Sequence, residues 1–231
     1  MDLSALINCL PDRPVISIAG AGGKTTLMFR LAEMLPGRCV MTTTTKVAFE
    51  QVQSVDVCCT LEDFPGCGEG KKIWASPSLE PVEGKIHGCS FPEFSQLTAL
   101  CAAEGFPLMN EADGAHCRHI KAPAAHEPMI PPESTVCIYG TGLDVLGKPV
   151  DGETVHRPEI FTELTGAQPG ELIQPEHVLR LLEHPQGGLK GFPPDALKIV
   201  YLNHADTPER KAAGEWICER LQSYDHFCIN D

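Results

Sequence analysis

Val15-Ile16-Ser17-Ile18-Ala19-Gly20-Ala21-Gly22-Gly23-Lys24-Thr25-Thr26 is the stretch on which the architecture turns. An apolar, β-branched run enters a glycine-rich turn, and Leu27, Phe29, Leu31 and Leu35 follow at helical spacing, so the segment reads as strand, loop and helix. Glycines let backbone amides converge on anionic oxygens, and a helix N-terminus adds partial positive charge. Lys24 can reach terminal phosphates and the Thr25 hydroxyl can ligate Mg²⁺. Gly20, Ala21, Gly22, Gly23, Lys24, Thr25 and Thr26 are therefore the expected nucleotide-binding residues. A plain glycine turn capping a helix would need neither the lysine nor the paired threonines. A dinucleotide loop would place Gly or Ala at Thr25, and an acid where Thr42–Thr45 end the next strand pattern.

The strict GxxxxGK[ST] spacing would require glycine at position 18, where Ile18 stands. The shorter GxxGKTT form resembles the loop of Mur-type ligases and folylpolyglutamate synthases. Those enzymes carry further central and C-terminal domains, which argues against a ligase of 231 residues.

Val15–Ala19, Arg38–Thr44, Val52–Cys58, Ile73–Ser76, Phe106–Glu111, Thr135–Gly140, Leu197–Asn203 and Asp225–Ile229 read as strands. Helical patterns cover Thr25–Leu35, Pro92–Glu104, Arg157–Leu164, Pro175–Glu183 and Pro208–Gln222, with Pro near the first turn of several. This alternation predicts an α/β fold with a mainly parallel sheet and helices on both faces. One domain over 1–231 is expected, with a helical excursion around 151–194. Glycines at 66–70 and 84–88 suggest an edge hairpin, and the proline-rich stretch 122–132 suggests an ordered surface loop.

Hydrophobic residues make up 42% and charged residues 21%, which is a globular composition. The formal charge of −13 repels phosphate backbones and anionic lipid, so neither nucleic acid nor a membrane surface is an expected partner. No apolar run approaches the roughly 20 residues of a spanning helix, and no basic segment precedes an apolar one at the start. The 11 cysteines contain no CxxC pair and fit reduced thiols, hence a cytoplasmic protein. Cys39, Cys137, Cys218 and Cys228 have core-like flanks, whereas Cys58-Cys59 or Cys117 are candidates for reactivity.

In a parallel sheet, ligands gather beyond the carboxyl ends of the strands. Glu111 and Asp113 end one strand two residues apart and so can face the same way, as a carboxylate holding Mg²⁺ or its water must. Either serves as the catalytic carboxylate that positions the metal, alongside Lys24, with Thr25 and Asp113 as the expected metal ligands. Without the glycine loop, they would read as a solvated strand end. Thr42–Thr45 and Lys46 close another strand, placing hydroxyls such as Thr44 near a terminal phosphate, although threonines are also simple strand formers. Asn203-His204-Ala205-Asp206 is similar to the NKxD motif that reads guanine, with His204 where the lysine belongs. The competing reading makes Asp206 an N-cap, with Glu209 completing a capping box. Arg118 and Lys121 are candidate anion contacts, and His156-Arg157-Pro158-Glu159 opens a helix. The histidine-rich loop offers His116, Cys117, His119 and His126 to a soft metal, at a spacing that matches no standard zinc pattern.

GAGGKTT at 20–26, TTTTK at 42–46, EADG at 111–114, KAPAAHEPMIP at 121–131, GLDVLGKP at 142–149, VHRPE at 155–159 and NHAD at 203–206 together resemble the YqeC family, accessory proteins of selenium-dependent molybdenum hydroxylases. The resemblance spans most of the chain and implies a P-loop NTPase-like fold. It also implies a role in maturing such a hydroxylase or its cofactor, with the hydroxylase or another maturation factor as partner. Joined to the residues, the expectation is Mg²⁺-dependent binding of ATP or GTP with hydrolysis or phosphoryl transfer. The alternatives are a non-catalytic nucleotide-binding chaperone or adaptor, and a selenium or metal carrier using cysteines and histidines.

Overall fold

The computed structural model describes residues 1–64 and 66–230. In chain order the elements are α1 (Leu3–Cys9), β1 (Val15–Gly20), α2 (Lys24–Met34), β2 (Cys39–Thr43), β3 (Lys46–Ala48), α3 (Phe49–Val52), β4 (Val57–Thr60), β5 (Lys72–Ser76), β6 (Lys85–His87), α4 (Phe91–Glu104), β7 (Leu108–Glu111), β8 (Ile120–Lys121) and β9 (Val136–Gly142). A 3₁₀ turn at Leu143–Val145 follows, then β10 (Val155–His156), α5 (Pro158–Thr165), α6 (Pro175–Glu183), β11 (Leu197–Asn203), α7 (Pro208–Cys218) and β12 (His226–Ile229).

Eight strands form one sheet in the order β12-β11-β9-β1-β7-β2-β5-β4, and every pairing in it is parallel. The fold is α/β, as the alternation predicts. Strand residues alternate between two sides. Ile16, Ile18, Met41, Trp74, Met109, Ile138 and Ile199 pack with Leu27, Met28 and Leu31 of α2 and Leu3 and Leu6 of α1. On the opposite side, Val40, Ile73 and Leu108 meet Phe94 and Leu97 of α4, while Tyr139, Val200 and Leu202 meet Phe161 of α5, Val178 and Leu181 of α6 and Ile217 of α7. Burial on both faces explains why the strands read as nearly continuous apolar runs. The sheet resumes with β11 and β12 after the helices of the 151–194 excursion.

Several expected boundaries shift. The 52–58 strand is instead a helical turn, α3, followed by β4: Val52 and Val55 both pack on the core from a turn, at the i, i+3 spacing that a short apolar run shares with a strand. The expected edge hairpin does not form. β5 joins the main sheet, while β6 pairs antiparallel with β3 in a separate ribbon. The expected surface loop at 122–132 is largely inward, with Ala122, Glu127 and Ile130 buried, because it carries charged partners for the interior. α7 ends at Cys218 rather than 222, and Glu183 takes the amides of Gln222 and Ser223 beyond it. Its N-cap is Thr207, which accepts from the Arg210 amide, not Asp206. The short α1, capped by Asp2, had no counterpart in the periodicity. All 11 cysteines are free, and Cys39, Cys137, Cys218 and Cys228 are buried. No helix among the described residues is long and apolar enough to cross a membrane.

Candidate functional site

β1 sits mid-sheet between β7 and β9, so its loop emerges beside the carboxyl ends of both neighbours. Gly20 and Gly22 hold φ of 90° and 72°. A Cβ at Gly20 would lie 2.2 Å from the Gly140 carbonyl oxygen, and one at Gly22 would lie 2.4 Å from the Gly142 nitrogen. The loop thus needs glycine for both conformation and space. No side chain caps α2, so amides of its first turn are left for a ligand. Gly22, Gly23, Lys24, Thr25 and Thr26 border a cleft of about 430 Å³, closed on other sides by Lys46, Lys85, Gln51, Glu111, Arg118 and His119. Lys46 and Lys85 come from the β3–β6 ribbon, so that ribbon supplies cations to the rim.

Behind the loop lies a buried chain of alternating charge. Lys24 Nζ donates to the Gly20 carbonyl at 2.9 Å and sits 3.3 Å from Asp113 Oδ1 and 3.8 Å from Glu111 Oε1. The other Asp113 oxygen accepts from the Gly20 amide at 3.1 Å and from Lys121 Nζ at 3.0 Å. Lys121 continues to Glu127 at 2.9 Å, and Arg157 closes the chain as a fork on Glu127, at 2.5 and 3.1 Å. Lys24, Lys121 and Arg157 balance Glu111, Asp113 and Glu127. A paired arrangement of this kind is what lets such charges remain buried.

The local field sets the protonation of each group. Burial works against the Lys24 charge, but Asp113 and Glu111 outweigh it and hold its pKa above that of an ordinary lysine. Burial raises the Glu111 carboxyl despite Lys24 and the hydrogen bond it accepts from Thr25 Oγ1 at 2.8 Å. At Glu127 burial also pushes upward, yet the hydrogen bonds from Arg157 and Lys121 prevail and bring it from 4.5 down to about 2.

A depressed carboxylate stabilises the fold above its unfolded value, and that contribution is lost as pH falls from about 4.5 toward 2. The interval corresponds to roughly 3 kcal/mol. We expect denaturant titrations at pH 7 and pH 3 to show a drop in stability that is smaller by about 2 kcal/mol in Glu127→Gln, since pH 3 still lies above the folded value and part of the contribution survives there. An equal drop in both proteins would contradict the assignment.

The remaining candidates fall in three places. Arg118 borders the cleft and donates to the Gly152 carbonyl. Thr44 is buried, donating to Met129 O and accepting from Asn110, and is absent from the cleft wall. Asn203 lies behind the loop with Nδ2 donating to Gly22 O at 2.8 Å, while Asp206 is bound to Arg210 on the surface of α7. In the histidine loop, His116 stacks on His156 at 4.8 Å, His126 is exposed, and His119 stands beside Asp144 and His204. Burial, together with Arg157, Lys121 and His116, lowers the His156 pKa to about 4. Cys58 and Cys117 are exposed, whereas Cys59 is buried.

Sequence reasoning missed Glu127, Lys85 and Gln51. Glu127 had a signal, because an acid amid the prolines six residues from Lys121 is hard to explain as plain loop. Lys85 and Gln51 had none, since only the ribbon and α3 bring them to the cleft.

Residues 16–159, which hold the loop and all six members of the buried charge chain, match the family described as YqeC protein. The chain belongs to the YqeC family. YqeC of Escherichia coli (strain K12) is 34% identical over 233 residues, covering 97% of this chain and 90% of that relative. No solved structure matches. In this YqeC-family chain the matched segment ends at Glu159, just beyond Arg157.

Proposed function

We propose that this chain binds ATP or GTP with Mg²⁺ in the loop cleft and hydrolyses it or transfers its phosphoryl group. The observation that carries the reading is the meeting of Lys24, Thr25, Glu111 and Asp113 at one uncapped helix N-terminus. The donor set fits the ion and the anion. Thr25 and Asp113 offer the hard oxygen ligands Mg²⁺ takes, and Asp113 Oδ1 is buried without a hydrogen bond, facing the Lys24 ammonium at 3.3 Å. Loop amides, Lys24 and the rim cations Lys46, Lys85 and Arg118 supply positive charge against an overall −13. Mg²⁺ held there would neutralise charge on the phosphate oxygens.

Lys24 is already charged and oriented, and an anionic oxygen in the cleft would draw it away from Asp113 and Glu111. Glu111, with its raised pKa, is suited to accept a proton from an attacking water or acceptor hydroxyl. Asn203 supports the loop backbone. Because Asp206 is engaged by Arg210, Asp206→Asn is expected to leave the relative affinity for GTP and ATP unchanged.

In a phosphate-release assay with Mg²⁺, Glu111→Gln should lower turnover about 10²- to 10⁴-fold while nucleotide still binds. Nucleotide binding without turnover in the unaltered protein would instead make it an adaptor. We further propose that turnover is coupled to maturation of a selenium-dependent molybdenum hydroxylase or its cofactor, with that enzyme or another maturation factor as partner. This rests on the role that the resemblance of the sequence motifs implies. Cells lacking the chain should yield inactive hydroxylase, restored by the unaltered protein and not by Lys24→Ala.

A further inference from the structure

A second constellation lies at the rim of the cleft, outside the buried charge chain. His119 precedes β8, Asp144 lies in the 3₁₀ turn after β9, and His204 follows β11, so three separate connections converge at the carboxyl end of the sheet. One donor atom from each lies within 4.8 Å of the others. The two imidazoles are parallel, 4.6 Å apart and inclined by 12°, and His119 Nδ1 is 2.8 Å from Asp144 Oδ1. Gly142 makes the convergence possible: a Cβ there would stand 2.7 Å from Asp144 Oδ1, 2.8 Å from His119 Cβ and 3.1 Å from His204 Cδ2. A cavity of about 190 Å³ opens beside His119 and Asp144, with Cys117, Arg118, Lys148 and Thr154 on its walls.

We propose that His119, Asp144 and His204 form a site for a divalent transition metal of the zinc class. Two imidazoles and one carboxylate make a borderline nitrogen and oxygen set, which suits Zn²⁺, Co²⁺ or Fe²⁺ and not Mg²⁺. A tetrahedral ion with bonds of about 2.0–2.2 Å spaces its donors about 3.4 Å apart, so small side-chain rotations close the site. Three protein ligands leave positions open for water or for an anion in the neighbouring cavity. Lys148, half exposed and 2.9 Å from Asp144, occupies the second carboxylate oxygen and screens its charge. Asn203 links the two sites, with Nδ2 on Gly22 O and 3.4 Å from His204 Nε2. Metal binding itself does not depend on the nucleotide reading, because Lys24 contributes no ligand.

The test is a titration of the full, chelator-treated protein with Co²⁺, read by its visible d–d absorption, followed by displacement with Zn²⁺. Variants are His119→Gln, Asp144→Asn and His204→Asn. Asparagine is chosen because His204 holds φ of 59°, a conformation asparagine tolerates, so the fold should survive, as circular dichroism will verify. One Co²⁺ per chain is expected, unaffected by millimolar Mg²⁺, equally tight in Lys24→Ala, and weakened at least about 100-fold in His119→Gln and His204→Asn. Unchanged Co²⁺ affinity in folded His204→Asn, absence of binding to the unaltered protein, or a thiolate charge-transfer band that vanishes in Cys117→Ala would each overturn the site.

Discussion

Asp113→Ala is expected to lower stability by about 3–5 kcal/mol, a fall in Tm on the order of 10 °C. Asp113 is fully buried between Lys24 and Lys121 and also accepts the Gly20 amide. Removing it leaves two buried ammonium groups facing each other and an orphaned loop amide. Lys121 still has Glu127, and Lys24 still has Glu111, so the loss is the repulsion and the missing partner, not two stranded charges. The double variant Asp113→Ala with Lys121→Met should recover a measurable part of the loss, because one of the opposed cations is gone. Thermal melts of both variants check this. Additive destabilisation would mean that the three groups are energetically independent, against the geometry.

Lys24→Ala is expected to abolish stabilisation by Mg²⁺-nucleotide. Ligand at 100 times its Kd adds about 2.7 kcal/mol to a protein that binds it only when folded. For a chain of this size that is a rise of about 5–10 °C in Tm. The ammonium is the single buried cation within reach of both the loop carbonyls and the carboxylates that end β7, so no neighbour among the described residues replaces it. Lys121 is held one layer deeper by Asp113, Glu127 and the Gly114 carbonyl. A thermal-shift series with and without the substitution gives the answer. An undiminished shift in Lys24→Ala would place the nucleotide elsewhere or make its phosphates independent of the lysine.

The parts of this molecule that were legible beforehand are those specified by local chemistry. The strand, glycine loop and helix at 15–35 carry their own conformational demands, and Glu111 and Asp113 announce themselves by spacing at a strand end. What stayed hidden depends on packing between distant segments. Val52 and Val55 fit a strand or a helical turn equally well, and only the core they meet decides. The 122–132 stretch looks like surface because prolines break periodicity, yet Glu127 inside it holds both Lys121 and Arg157, the latter 30 residues further along the sequence. Asn203 and Asp206 are three apart in the motif, but one turns inward to the loop and the other binds Arg210, a division set by the start of α7. The His119, Asp144 and His204 cluster has no sequence spacing at all, since β9 and β11 bring its members together.

A nucleotide site in the loop at 20–26 is tested by calorimetric titration of the unaltered protein with slowly hydrolysed ATP and GTP analogues, in the presence and absence of Mg²⁺. One site per chain, with heat that requires Mg²⁺ for tight binding, is the predicted result. Only heats of dilution with both nucleotides would contradict it and return Gly20–Thr26 to the role of a helix cap held in place by a buried charge network.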